Sequence, residues 1–196
     1  MKKYLRVFEI QPGGWLILSV LFFFADLDEF LIVISCVLIH EIGHLLSLSN
    51  FHIPVRRITL EFTGVTICYN TFLLYGIREL MTALAGPTLG VLAALLFSWF
   101  GEVFHSERLY LLAGCNAVLS AFNLLPAKPL DGWRCLNALV PRAAQVISVC
   151  TSIAVLCVGV WVMYAGYGTA LALMGIILLL QESPRNAGSK HKIKGF

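Results

Sequence analysis

The feature that most limits the fold is an uncharged run that extends from Ala143 to Gln181. As one helix the run would measure about 58 Å at a rise of 1.5 Å per residue, roughly twice the thickness of a bilayer core. The stretch from Tyr164 to Gly168 contains two glycines and offers a break. Because the chain carries 13% charged residues, against about a quarter in a soluble domain, the run predicts two membrane spans.

Four more apolar segments precede that run and complete a set of six. We therefore predict an all-α integral membrane protein, a bundle of six transmembrane helices. No hydrophilic block is long enough for a second domain, so residues 1–182 should form one membrane-embedded domain. Residues 183–196 are polar and basic and should form a disordered cytoplasmic tail. The four segments are Gly13–Ala25, Phe30–Ser49, Met81–Phe100 and Leu109–Leu125.

The positions of the basic residues test this topology. With six spans, all but one of the 14 lysines and arginines lie on the side of the two termini. Arg108 is the exception, and it lies on the side that also holds acids such as Asp28 and Glu107. The positive-inside rule then predicts a multi-pass protein of the cell membrane with both termini in the cytoplasm.

A short β-hairpin is predicted between the second and third helices. Apolar and polar residues alternate from Ile58 to Thr63, and Gly64 precedes the β-prone stretch Val65–Tyr69. A lone hairpin is marginal in water. We therefore expect this one to lean on the helices or to pair with a partner strand.

The second span contains the sequence HEIGH, in which His40, Glu41 and His44 lie within an apolar segment. Two histidines four residues apart project from one helix face and can bind one Zn²⁺. A glutamate directly after the first histidine is the general base of this HExxH arrangement. Ionisable residues inside a membrane span are functional by default. A simpler alternative is a hydrogen-bonded polar cluster between helices.

Two histidines leave a catalytic zinc without its third protein ligand. Asp131 is the acid at the cytoplasmic end of the fourth span, and helix-breaking residues surround it. Such non-helical backbone is tolerated in a membrane where it lines protein or a water-filled cavity. We expect Asp131 to be the third ligand, although an ordinary Asp-Gly turn would also explain it. The helix breakers are Pro126, Pro129 and Gly132, and the rival ligands are His52, His105, His191 and Cys36.

These motifs resemble those of the site-2 protease family of intramembrane zinc metalloproteases. The resemblance rests on HEIGH, on the residues from Asn123 to Gly132, and on AGPTLG from Ala85 to Gly90. The sequence is most similar to the branch of the stage IV sporulation protein FB, whose members have six spans and process a pro-sigma factor. It differs in that it has neither a PDZ insertion nor a C-terminal CBS domain, which leaves the sporulation role open.

The resemblance implies roles for individual residues. His40, His44 and Asp131 would bind one zinc per chain, and Glu41 would be the general acid and base. The substrate would contact three residues, and four others would shape the structure near the site. The substrate-contacting residues would be Asn123, Phe62 and Gly64, and the structural ones would be Gly86, Pro87, Pro126 and Gly132.

The expected function is regulated intramembrane proteolysis in a bacterial cell membrane, with a pro-sigma or anti-sigma factor as the candidate substrate. The expected partners are the lipid bilayer, a membrane-associated protein substrate, and a regulatory membrane protein or a second copy of the chain. No nucleic acid is expected. Two alternatives remain open: an inactive scaffold that binds membrane proteins, and a transporter with zinc in its pathway. The chain shows no repeated halves of the kind that transporters carry.

Overall fold

The computed structural model describes residues 8–61, 64–69 and 74–182. Helices dominate it, and each of the six predicted apolar segments contains one. The predicted tail, residues 183–196, and Phe62 lie outside the described residues. In chain order the elements are β1 (Phe8–Ile10), α1 (Pro12–Phe24), α2 (Leu27–Asn50), β2 (Val55–Glu61), β3 (Gly64–Tyr69), α3 (Ile77–Phe104), α4 (Glu107–Asn123), α5 (Asp131–Leu139), α6 (Pro141–Tyr164) and α7 (Ala170–Glu182).

Local sequence explains where the main helices begin and end. Proline is the first residue of α1 and of α6, a position where its missing N–H removes no helical hydrogen bond. The predicted break in the long uncharged run is present between α6 and α7. There Gly166 has φ 85° and Gly168 has φ 113°, which are backbone conformations that glycine adopts without a steric penalty.

Three helices of the described chain, α2, α3 and α6, are long and apolar enough to cross a membrane. Their exposed positions include large apolar side chains such as Leu38, Leu95 and Val146, which favour contact with lipid over water. The structure therefore supports a membrane protein. Helices α1 and α7 are also apolar but have 13 residues each, about 20 Å of helix, so the number of six spans remains a prediction.

The predicted hairpin is part of a three-stranded sheet with the order β1-β2-β3. Strands β2 and β3 are antiparallel, and β1 pairs with β2 in parallel, with Phe8 opposite Ile58. Helix α1 packs closely on this sheet, because a Cβ atom at Gly14 would lie 2.4 Å from the carbonyl oxygen of Leu60. The additional strand provides the partner that a lone hairpin needs.

Backbone contacts divide the chain into two compact units, Met1–Phe122 and Asn123–Phe196. The first unit holds the sheet and helices α1 to α4, with α2 packed against α3. The second holds α5, α6 and α7. In it α6 and α7 approach closely, since a Cβ at Gly175 would lie 2.5 Å from the Cα of Leu156. The short helix α5 was not predicted from the sequence.

Candidate metal centre

The two histidines of the first unit lie together on one face of α2. Both are buried, with 5% of each residue exposed, and the distance between their Nε2 atoms is 3.2 Å. Two nitrogen ligands of a tetrahedral zinc, each about 2.0–2.1 Å from the metal, lie about 3.3 Å apart. The spacing of the two nitrogens therefore fits a pair of zinc ligands.

The hydrogen bond made by the other ring nitrogen of His44 defines its tautomer. Nδ1 lies 2.8 Å from the backbone carbonyl oxygen of Thr82, a fully buried residue of α3. A carbonyl oxygen can only accept, so Nδ1 carries the proton. The lone pair of a neutral imidazole is then on Nε2, the atom that faces His40. This support of a ligating histidine by a carbonyl is typical of metal sites.

Two glycines allow α2 and α3 to approach at the level of the histidines. A Cβ at Gly43 would lie 2.5 Å from the carbonyl oxygen of Ala85. A Cβ at Gly86 would lie 2.3 Å from Nε2 of His44 and 2.9 Å from Nε2 of His40. The space beside the two Nε2 atoms therefore exists only because position 86 has no side chain. Gly86 therefore lies directly beside the histidine pair.

Pro87 is also found near this position, inside α3. Proline lacks an N–H, so the carbonyl of Ala83, four residues earlier, loses its helical hydrogen bond. Ala83 and Pro87 are both buried. The helix that supports His44 is thus interrupted in its hydrogen bonding next to the histidine pair.

Glu41 is a residue of α2 between the two histidines and is partly buried. A helix turns by about 100° per residue, so Glu41 projects from a neighbouring face and not from the face of His40. A separate face is what a general base needs, because it must reach the reacting water without occupying a ligand position.

In the second unit, Asp131 is the first residue of α5 and is buried, with 7% exposed. Its Oδ1 atom lies 3.1 Å from Nη1 of Arg134, one turn later in the helix. A Cβ at Gly132 would lie 2.0 Å from the carbonyl oxygen of Leu124. The first turn of α5 can therefore pack on the chain that precedes it only with glycine at position 132.

The remaining predicted site residues lie in three places. Asn123 is the last residue of α4, and Pro126 lies in the segment before α5; both are partly buried. Gly64 is the first residue of β3 and has φ 116°. Phe62 lies outside the described residues. The sequence did not reveal Thr82 or Gly43, and for Thr82 no signal existed, because every residue type has a backbone carbonyl.

The comparisons with known proteins first define a class of fold. The chain matches no protein-family model. Its structure is similar to that of a site-2 protease from Methanocaldococcus jannaschii, with a TM-score of 0.70 and 18% sequence identity. The similarity covers 100% of this chain and 95% of the other. The chain therefore has the site-2 protease fold.

A curated relative adds a similarity in sequence. The chain is 27% identical over 118 residues to zinc metalloprotease MJ0392 of Methanocaldococcus jannaschii. The match covers 58% of this chain and 34% of the relative. The chain thus spans about a third of the length of that protein.

Proposed function

We propose that the protein is a zinc-dependent intramembrane endopeptidase of the site-2 protease type. The observation that carries this proposal is the distance of 3.2 Å between the buried Nε2 atoms of His40 and His44 on α2. The hydrogen bond from Nδ1 of His44 to Thr82 leaves the lone pair of His44 on Nε2. The fold and the sequence relative support the same chemistry. Helices α2, α3 and α6 are long and apolar enough to cross a membrane, which supports a site inside a bilayer.

We propose one zinc per chain, bound by His40, His44 and Asp131. A zinc in this site would supply Lewis acidity to the attacking water and to the scissile carbonyl. The buried carboxylate of Asp131 is an anionic oxygen donor, the ligand type that completes a His₂ catalytic site. Its ion pair with Arg134 fixes the orientation of the carboxyl group.

Glu41 acts as the general base and then as the general acid. It accepts a proton from the attacking water and transfers it to the leaving amine when the peptide bond breaks. Its position next to His40 on the helix supports this role. Asn123, at the end of α4, contacts the substrate.

The substrate is a transmembrane or membrane-associated protein, cut near the cytoplasmic face. Peptide bonds in a helix are protected by their hydrogen bonds, so the substrate must unwind before attack. In the described sheet β3 is an edge strand, because it pairs with β2 on one side. An unwound segment can add to such an edge beside Gly64, and Phe62 is the other residue that we propose to contact it. A proline scan from Ile58 to Thr66 that leaves cleavage unchanged would argue against this part.

We also propose a membrane topology and a cellular role for the protein. All six segments cross the cell membrane of a bacterium, both termini are cytoplasmic, and residues 1–182 form one domain with a cytoplasmic tail. The reaction is regulated proteolysis of a pro-sigma or anti-sigma factor, controlled by a membrane protein or by association with a second copy.

Glu41→Gln tests the proposed chemistry. The substitution preserves size but removes the basic carboxylate, so zinc should remain bound while turnover falls at least a hundredfold, the lower end of what general bases contribute. Cells that produce either protein are compared by mass spectrometry of new N-termini in their membrane proteins. Cuts within apolar segments should occur with the wild type alone. Identical sets of termini, with both proteins folded and zinc-loaded, would remove Glu41 from catalysis and favour an inactive scaffold.

A further inference from the structure

A partly buried polar cluster connects the segment before α5 with helices α6 and α7. We call it the Glu182 cluster, and it consists of Lys128, Gln145, Ser148 and Glu182. The Glu182 carboxylate lies 3.7 Å from Nζ of Lys128 and accepts a hydrogen bond of 2.8 Å from the amide of Gln145. It also accepts one from the hydroxyl of Ser148. All four residues belong to the second unit.

Lys128 takes part in this cluster through its backbone as well as its side chain. Its backbone N–H donates to Oγ of Ser148 at 3.0 Å, and its ammonium donates to Oε1 of Gln145. The segment is therefore attached to α6 at two points. It is attached to α7 through the ion pair with Glu182.

The burial of Glu182 argues that the cluster does more than stabilise the fold. Its side chain is 6% exposed and that of Lys128 is 23% exposed. Removal of such charges from water is costly, and apolar replacements of buried ion pairs are often as stable or more so. Hydrogen bonds and ion pairs are directional. They therefore define the geometry of the groups that they connect, which an apolar replacement would not do in the same way.

The segment that the cluster holds leads directly into Asp131. Lys128 precedes Asp131 by three residues, and its ammonium also lies 5.0 Å from the ring centre of Trp133, two residues after Asp131. The backbone N–H of Trp133 donates to the carbonyl of Leu130 at 3.2 Å. The chain is thus held by Lys128 on both sides of the carboxylate.

We propose that the Glu182 cluster positions Asp131 for the metal, with Lys128 and Glu182 as positioning residues. This inference rests on the proposed function, because it assigns Asp131 to the zinc. It means that α7, through its residue Glu182, determines metal affinity although α7 supplies no ligand.

Zinc affinity of the full-length protein in detergent tests this proposal, measured by competition with a chromophoric chelator. Lys128→Met and Glu182→Gln should each weaken binding about tenfold, the lower end of the loss seen when residues outside the ligand shell are changed. Lys128→Glu and Glu182→Lys should each weaken it further. The double variant with both reversals should bind zinc more tightly than either single one, because the ion pair is restored.

Two controls separate positioning from a general loss of stability. Asp28→Asn removes an ion pair of 2.6 Å with Arg108 between other helices and should leave zinc affinity unchanged. Gly14→Ala introduces a clash between α1 and β2, away from the cluster, and should lower the melting temperature with little change in zinc affinity. Wild-type affinity in both Lys128→Met and Glu182→Gln would overturn the proposal, as would an affinity that follows the melting temperature across all variants.

The wild type and His40→Ala test the proposed function separately from the cluster variants. Zinc bound by the wild type and lost in His40→Ala supports the metal site whatever the cluster variants do. A wild type that binds no zinc overturns the metal site and the positioning role together.

Discussion

At the scale of single residues, the site depends on the orientation of the histidine ring nitrogens and on the absence of a Cβ atom at position 86. The bond from Nδ1 of His44 to the Thr82 carbonyl leaves the Nε2 lone pair facing His40. Gly86 keeps the space beside these nitrogens open. The residue types of the site were predicted from the HExxH spacing, whereas the carbonyl partner could not be, because it depends on how α3 packs on α2.

Gly86→Ala should therefore abolish or greatly weaken zinc binding. The new Cβ would lie 2.3 Å from Nε2 of His44, so the ring must turn away or α3 must move. Gly114→Ala is the matched control, since a Cβ there meets nothing within 4 Å and alanine favours a helix by about 1 kcal/mol over glycine. Equal zinc content in the two variants, measured by metal analysis of purified protein, would contradict this account of the site.

At the scale of elements, α2 and α3 act as a pair whose separation is set by glycines. Where glycines mark a boundary, as in the break that contains Gly166, the sequence predicted the end of a helix. The three-residue strand β1 was missed because its pairing with Ile58 links residues about fifty positions apart. The Glu182 cluster was missed for a similar reason, since Lys128 and Glu182 show no local pattern that connects them.

Gly43→Ala should separate α2 from α3 and destabilise the protein. The added methyl would lie 2.5 Å from the Ala85 carbonyl oxygen, a backbone atom that cannot rotate away, and overpacking of this kind costs about 1–3 kcal/mol. Thermal unfolding in detergent, with Gly114→Ala as reference, measures the loss. A melting temperature equal to that of Gly114→Ala would contradict this prediction, because it would mean that α2 and α3 accommodate the added methyl group.

At the scale of the whole molecule, the distribution of charge predicts the orientation in the membrane. Arg108 pairs with Asp28 at 2.6 Å, which reduces the effect of the one basic residue on the side opposite to the termini in the six-span topology. The three long apolar helices agree with the predicted spans that contain HEIGH, AGPTLG and the first half of the long uncharged run. The shorter helices leave the count of spans to experiment.

Reporter fusions should place the C-terminus in the cytoplasm and the loop at Ser106 on the opposite side of the membrane. A green fluorescent protein at residue 196 should fold and fluoresce, and alkaline phosphatase inserted at Ser106 should be active, because phosphatase folds on the oxidising side of the membrane. Arg108→Glu serves as a control that should leave this pattern intact. A dark green fluorescent protein at residue 196, or an inactive phosphatase at Ser106, would contradict the six-span topology.

The most direct test of the central claim is the zinc content of the detergent-purified protein, wild type beside Asp131→Ala. The account predicts about one zinc per chain in the wild type and a clear loss in Asp131→Ala. Asp28→Ala, which removes an acid from an exposed ion pair, should retain zinc. Full zinc content in Asp131→Ala would show that the third ligand is another residue. A wild type purified without chelators that contains no zinc would contradict the claim that this chain is a zinc protease.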